Sequence, residues 1–188
     1  MLLEGGIKPD EIEISDIWID FSAYSFIDNS DPSEMFMHHV IIKQKDIDAV
    51  WDQHYFGKPI RKKRRLLFIA GYGSAGASYF ALFNELQNHF EIHIPDILGF
   101  GSSGRPEFIC RNIEETKEYF IASVREWVLK TGFDKEGPYS IFGHSLGCWI
   151  ASVYAERYPE NIEQLLFISP ASMAKPPADF CPHRWLNA

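Results

Sequence analysis

The chain has 188 residues and a formal net charge of −8, from 26 acidic and 18 basic side chains. This excess of acid argues against general nucleic-acid binding, which needs a basic surface. A hydrophobic content of 46% at this length suffices for one domain with a buried core. No signal peptide is expected, because the N-terminus lacks a basic segment followed by an apolar one. No apolar run approaches the ~20 residues of a membrane-spanning helix.

The cysteines and their spacing bear on the cellular compartment. Cys110, Cys148 and Cys181 are an odd number and lack the spacing of a metal site. We therefore expect reduced thiols in a cytoplasmic protein. The sequence implies no metal or organic cofactor.

The first third of the chain predicts two strands and a connection. Residues 11–21 alternate apolar and polar side chains but slip register near Ser15, which predicts an edge strand with a bulge. Residues 35–43 predict a second strand. The connection at residues 46–65 ends in a basic run, 61–65, which we expect to be a solvated approach to the next strand. Contact with anionic lipid headgroups is the functional alternative.

From residue 66 onward, short apolar strands alternate with helical periodicity. Strands are predicted at residues 66–70, 91–95, 139–142 and 165–169. Helices are predicted at residues 79–90, 112–131 and 145–158. The second helix should begin with Asn112 and Glu115 as a capping box and end at Gly132. This order predicts an α/β fold, a mostly parallel sheet with helices on both faces. Functional groups should then lie at the carboxyl ends of the strands.

The strongest chemical signal is the pentapeptide Gly143-His144-Ser145-Leu146-Gly147. It follows an apolar strand and opens a helix, the context of a nucleophile elbow, which lifts a serine Oγ above the end of a parallel sheet. The flanking glycines are needed because a side chain there would clash with the neighbouring strand or helix. The pattern therefore predicts Ser145 as a nucleophile.

Because of this motif and two further segments, the chain resembles the α/β-hydrolase superfamily over about residues 11–170. Residues 69–73 (Ile-Ala-Gly-Tyr-Gly), residues 96–103 (Asp-Ile-Leu-Gly-Phe-Gly-Ser-Ser) and the pentapeptide carry the resemblance. It implies the α/β-hydrolase fold, of which this chain would hold the first six or so strands. The long N-terminal segment and the Asp96–Pro106 loop resemble a lipid-active subgroup of lysophospholipases and a lipase coactivator that has lost the serine.

The resemblance also assigns roles to individual residues. Ser145 would be the catalytic nucleophile, Gly143 and Gly147 the elbow glycines, and the backbone N–H groups of Tyr72 and Leu146 the oxyanion hole. The chain departs from the family where Ala70 stands in place of the usual histidine, so the loop that carries Tyr72 loses one anchor. Asp96 is expected to shape its loop rather than to act in catalysis.

The triad acid and base cannot be matched to any position. In this fold the order is serine, acid, histidine, and only His183 follows Ser145. We do not expect His183 to be the base, and we expect the side chain of His144 to point away from the serine Oγ. Both missing groups are expected beyond Ala188, in a longer enzyme; a short protein completed by a partner is the alternative.

The sequence thus predicts three segments: N-terminal strands and connection (1–60), the hydrolase core (61–170) and the start of a cap or tail (171–188). The resemblance implies a serine esterase or lipase that acts on an acyl ester, most simply a lipid, with transfer to a lysolipid as a variant and with peripheral contact to membranes or lipid droplets as a further option. A non-catalytic binding or regulatory protein of lipid metabolism, with the same fold, is the alternative from another class.

Overall fold

A computed structural model describes residues 2–25, 27, 31–45 and 64–171 of the protein. Its centre is a six-stranded sheet composed of β1 (Ile12–Trp18), β2 (Phe36–Ile42), β3 (Arg65–Ile69), β4 (Glu91–Pro95), β5 (Tyr139–His144) and β6 (Ile162–Ile168). The strand order is β1-β2-β4-β3-β5-β6. Strand β2 pairs antiparallel with β1 and β4, whereas β4, β3, β5 and β6 run parallel. The predicted mostly parallel α/β sheet is confirmed.

Three α-helices connect the parallel strands: α1 (Phe80–Leu86), α2 (Ile113–Thr131) and α3 (Leu146–Arg157). Helix α2 begins at Asn112, whose Oδ1 accepts the Glu115 N–H at 2.9 Å, and ends at Gly132 with φ +65°. Both predicted helix limits are therefore confirmed. Helix α1 is shorter than predicted, because the N–H groups of Asn88 and His89 make i→i−3 bonds that interrupt the helical pattern after Leu86.

Both faces of the sheet are covered. Leu67 and Ile69 of β3 belong to a core with α2 and α3, in which Trp127 is fully buried. The alternate residues Leu66 and Phe68 belong to a second core with α1 on the opposite face. This two-sided burial explains why β3 is a continuous apolar run rather than an alternating one.

The bulge predicted in β1 is wrong. Strand β1 pairs with β2 in one unbroken register, from Ile12 opposite Ile42 to Trp18 opposite Phe36. The apolar pattern slips because β1 is an edge strand that leaves Ile14 and Trp18 exposed, so neither face requires strict alternation.

The expected solvation of the basic run is wrong for Arg65. This side chain is buried; its guanidinium donates to the carbonyls of Phe133 and Gly137 and lies 4.9 Å from the Phe133 ring centroid. Arg65 therefore ties the start of β3 to the loop before β5. Residues 61–63 lie outside the described part of the chain, as do the rest of the 46–63 connection and the tail from 172. The three-segment division remains a prediction.

Candidate functional site

Three connections meet at the carboxyl edge of the sheet. The turn at residues 71–74 follows β3, the loop at residues 96–106 follows β4, and the turn at residues 143–147 joins β5 to α3. The three segments that carry chemistry in the sequence therefore lie at the same edge, as expected for parallel strands.

Ser145 occupies a strained backbone position between β5 and α3. Its φ of 51° and ψ of −115° are rare for a residue with a side chain. The conformation is held by backbone bonds: the Ser145 N–H donates to the Ile168 carbonyl, and its own carbonyl accepts N–H groups from Cys148 and Ala171, all at 3.1 Å. The hydroxyl-bearing residue is half-buried at the start of a helix.

The two flanking glycines have no room for a side chain. A Cβ at Gly147 would lie 2.1 Å from the Ile69 carbonyl oxygen, and one at Gly143 would lie 2.7 Å from the Cys148 nitrogen. The turn thus packs backbone to backbone against the end of β3. This close packing is the physical reason for glycine at both positions.

Two backbone N–H groups at this edge of the sheet lack a hydrogen-bond partner in the described structure. Leu146 is the first residue of α3, so its N–H has no partner within the helix. Tyr72 lies in the turn after β3, and no partner for its N–H is found among the described residues. The Tyr72 side chain is 81% exposed, with its ring 5.5 Å from that of Phe100.

The side chain of His144 contacts Tyr79 rather than the serine. His144 Nδ1 lies 2.7 Å from the Tyr79 hydroxyl, and the same hydroxyl accepts the Gly71 N–H at 3.2 Å. This agrees with the structural role expected for His144. No sequence pattern singles out Tyr79, because an aromatic residue at the start of an apolar helix ordinarily belongs to the core.

Asp96 is a buried organiser of its loop. One carboxylate oxygen accepts the Gly76 N–H at 2.7 Å and the other accepts the Ser102 N–H at 2.8 Å. Its carbonyl accepts the Ser103 hydroxyl at 2.6 Å. These bonds join the loop after β4 to the segment before α1 and match the loop-shaping role expected of Asp96.

Two other groups of titratable side chains are the stacked histidines of the sheet and the Cys148 thiol. His39 and His93 stack within the sheet at a centroid distance of 5.3 Å. Burial raises the pKa of the Cys148 thiol, which donates to the Gly143 carbonyl and is expected to stay protonated. His183 and Cys181 lie outside the described residues. Within the described ranges, no cluster of histidine, cysteine or carboxylate groups is arranged to hold a metal ion.

A small cleft adjoins this edge of the sheet. Leu146 forms part of its wall, and the other lining residues are Ala70, Gly71, Ser74, Ile97, Phe100 and Ile150. Most of these side chains are apolar or small.

No helix in the described ranges is long and apolar enough to cross a bilayer.

The parallel sheet with two covered faces and a strained serine turn at its carboxyl edge defines a class, the α/β-hydrolase type of protein. A family model described as alpha/beta hydrolase fold matches residues 64–187, well over half of the chain. The chain belongs to that family. This confirms the resemblance inferred from the three sequence segments.

The names of individual relatives refer to enzymes that act on acyl lipids. A probable 1-acylglycerol-3-phosphate O-acyltransferase of Oryza sativa subsp. japonica is 34% identical over 58% of this chain and 26% of its own length. A (lyso)-N-acylphosphatidylethanolamine lipase of Bos taurus is 29% identical over 69% of this chain and 38% of its own. The chain thus spans well under half the length of these relatives.

A solved structure shows the same fold. Carboxylesterase CesB of Bacillus subtilis superimposes with a TM-score of 0.65 at 17% identity, over 98% of this chain and 52% of that one. At this identity the likeness concerns the fold alone.

Proposed function

We propose that the protein is a serine hydrolase of acyl esters in which Ser145 is the nucleophile. Its Oγ would attack the acyl carbonyl, and the N–H groups of Tyr72 and Leu146 would stabilise the resulting oxyanion. The alcohol would leave, and the acyl-enzyme would pass its acyl group to water or, in a transferase, to a lysolipid. The base that takes the Ser145 proton is assigned to no described residue.

The conformation of Ser145 is the observation that carries this proposal. A residue with a side chain in such a region costs about 1–3 kcal/mol and persists only where its surroundings enforce it. Here two packed glycines and three backbone bonds enforce it. A serine held in strain at a helix N-terminus is suited to present its hydroxyl to a substrate.

The lining of the cleft and the names of the relatives both support a lipid substrate. The cleft is small, with a volume of about 10 Å³, but Ile97, Phe100 and Ile150 give it an apolar wall beside Leu146 on which an acyl chain would find apolar contact. The names of the relatives, an O-acyltransferase and a lipase, both concern acyl lipids. We therefore propose a lipid ester as substrate, in a cytoplasmic protein that meets lipid at a membrane or droplet surface.

Turnover of esters with acyl chains of different length tests the proposal. In a form that supplies the base, the protein should release free fatty acid from a lysophospholipid or a p-nitrophenyl acyl ester, and Ser145→Ala should abolish that release. Ser152→Ala is the matched control, because this helix serine bonds only to the Cys148 carbonyl in the described structure. Release that survives in Ser145→Ala would contradict the assignment.

A non-catalytic binding protein of lipid metabolism is the second candidate. It is favoured by Ala70, which replaces the histidine that usually anchors the turn carrying Tyr72. In that case wild-type protein and Ser145→Ala would bind lipid vesicles equally and neither would release fatty acid. Serine-dependent turnover would exclude this candidate.

A further inference from the structure

The turn at residues 71–74 is held by hydrogen bonds centred on the Tyr79 hydroxyl. That oxygen lies 3.2 Å from the Gly71 nitrogen, 3.1 Å from Ser74 Oγ and 2.7 Å from His144 Nδ1. Ser74 Oγ also donates to the Gly71 carbonyl at 2.9 Å. These four residues, called here the Tyr79 brace, link the turn after β3 to the residue that precedes Ser145.

The number of available protons determines the donor and the acceptor of each hydrogen bond in the brace. The Ser74 proton goes to the Gly71 carbonyl, so the contact between Ser74 Oγ and Tyr79 must use the Tyr79 proton. The Tyr79 oxygen then only accepts, from the Gly71 N–H and from His144. All four contacts are satisfied only if His144 carries a proton on Nδ1.

The brace sets the direction of the Tyr72 N–H. The Gly71 carbonyl and the Tyr72 N–H belong to one peptide group, and in a trans peptide they point in opposite directions. The Gly71 carbonyl is held by both the hydroxyl and the N–H of Ser74, at 2.9 Å and 3.3 Å. Because the Tyr72 side chain is exposed, these bonds fix the orientation of the N–H.

We propose that Tyr79 and His144 are positioning residues that aim the Tyr72 N–H at the oxyanion formed on Ser145, in place of the anchor lost at Ala70. The positioning role rests on the proposed function, whereas the brace itself does not. A side chain at Gly71 would lie 2.9 Å from His144 Nδ1 and 3.3 Å from the Ser145 Cβ, so the turn lies directly against the serine. A shift of the brace therefore moves donor and nucleophile relative to each other.

Replacing Tyr79 by phenylalanine tests the brace, because the ring keeps its packing on Phe68 while the hydroxyl is removed. Two rates are measured: amide hydrogen exchange at residues 71–74, and phosphonylation of Ser145 by a fluorophosphonate. Both should change about tenfold, exchange upward and phosphonylation downward, since a whole oxyanion donor is worth about 10²–10³ in rate. Tyr154→Phe, which removes a buried hydroxyl bonded to Tyr139, should change neither.

The two rates separate the brace from the proposed function. Faster exchange in Tyr79→Phe, in a protein whose wild type is not phosphonylated, supports the brace and contradicts the hydrolase. Unchanged exchange overturns the brace, and faster exchange with an unchanged phosphonylation rate overturns the positioning role.

Two further measurements test the proposal even if the Tyr79→Phe variant does not fold. Long-range ¹H–¹⁵N correlation on the wild-type protein should show the His144 proton on Nδ1; a proton on Nε2 alone overturns the bond assignment. His144→Asn, which keeps a donor near the Nδ1 position, should recover most of the phosphonylation rate lost in His144→Leu. Equal rates in these two variants contradict positioning by His144.

Discussion

Backbone contacts, more than side-chain bonds, hold the turn around Ser145. The Ile69 carbonyl lies so close to Gly147 that no other residue fits without moving β3 or α3. The serine keeps its conformation because its neighbours leave the chain no alternative path. Its strain is therefore offset by the packing of Gly143 and Gly147 and by the backbone hydrogen bonds of Ser145.

Replacing Gly147 by alanine should prevent stable folding or lower the free energy of unfolding by more than about 4 kcal/mol, the range reached by severe overpacking. Gly73→Ala is the matched control. Gly73 has φ +69° but nothing within 4 Å of an added Cβ, so it should lose only about 1–2 kcal/mol from left-handed strain. Urea unfolding of both variants measures the difference; similar losses would contradict the packing argument.

His39 links one buried side chain to the stability of the whole protein. Burial, with smaller effects from His93 and His38, lowers the pKa of His39 from its ordinary 6.5 to about 3. The folded protein therefore keeps His39 neutral below pH 6.5, while the unfolded chain takes up a proton there. Stability contributed by neutral His39 is present above pH 6.5 and falls as the pH falls toward 3.

From this shift we expect the free energy of unfolding to drop by about 2 kcal/mol between pH 7 and pH 5 through His39 alone. His39→Phe keeps a ring against Trp127 and cannot titrate, so its drop should be smaller by that amount. His89→Phe, at an exposed histidine, should keep the full drop. Denaturant unfolding at both pH values decides; identical drops in wild type and His39→Phe would contradict a neutral buried His39.

At the scale of the elements, strand β3 is anchored at both ends. Its carboxyl end runs into the Tyr79 brace, and its first residue, Arg65, donates to the carbonyls of Phe133 and Gly137. The sequence could predict β3 from its apolar run. It could not predict the burial of Arg65, because a basic run ordinarily lies in solvent and the two carbonyls are 68 and 72 residues away.

Arg65→Met should lower the free energy of unfolding by about 2–5 kcal/mol, because it leaves two carbonyls without their charged donor. Arg64→Met should cost about 1 kcal/mol or less, since Arg64 lies over the Phe90 ring near the surface. Thermal or urea unfolding of the pair measures the difference. A mild loss in Arg65→Met would mean that water replaces the guanidinium at these carbonyls.

At the scale of the whole molecule, the two edges of the sheet differ. Strand β1 places two charged residues, Glu13 and Asp16, beside the exposed Ile14 and Trp18, whereas β6 places a single one, Glu163, beside Leu165, Phe167 and Ile168, each exposed to about two fifths of its surface. Charges protect an edge from pairing with another chain, and apolar residues do not. The β6 edge is therefore the side at which copies of this chain should associate.

Sedimentation velocity over a concentration series tests the edge. The wild-type chain of 188 residues should show a sedimentation coefficient that rises with concentration, and Phe167→Lys should suppress the rise. Ile14→Lys, on the charged β1 edge, should not. A coefficient independent of concentration in the wild type would show that the β6 edge is protected.

More of the fold than of the functional site could be predicted from the sequence. Alternating strands and helices predicted the parallel sheet, and the 143–147 pattern predicted which residue lies at the β5–α3 turn, because both depend on local chemistry. The Tyr79 brace depends on contacts between residues up to 65 positions apart, which no local pattern encodes. Neither sequence nor structure assigns the triad acid and base, so the identity of the nucleophile is the central claim.

Fluorophosphonate labelling followed by peptide mass spectrometry tests that claim most directly. We expect one phosphonylated residue, Ser145, with labelling lost in Ser145→Ala and kept in Ser152→Ala. Cys148 should stay unmodified because its buried thiol has a raised pKa. Folded protein that takes up no label at Ser145, or takes it up equally in Ser145→Ala, would contradict the serine-hydrolase account and leave the binding protein as the better explanation.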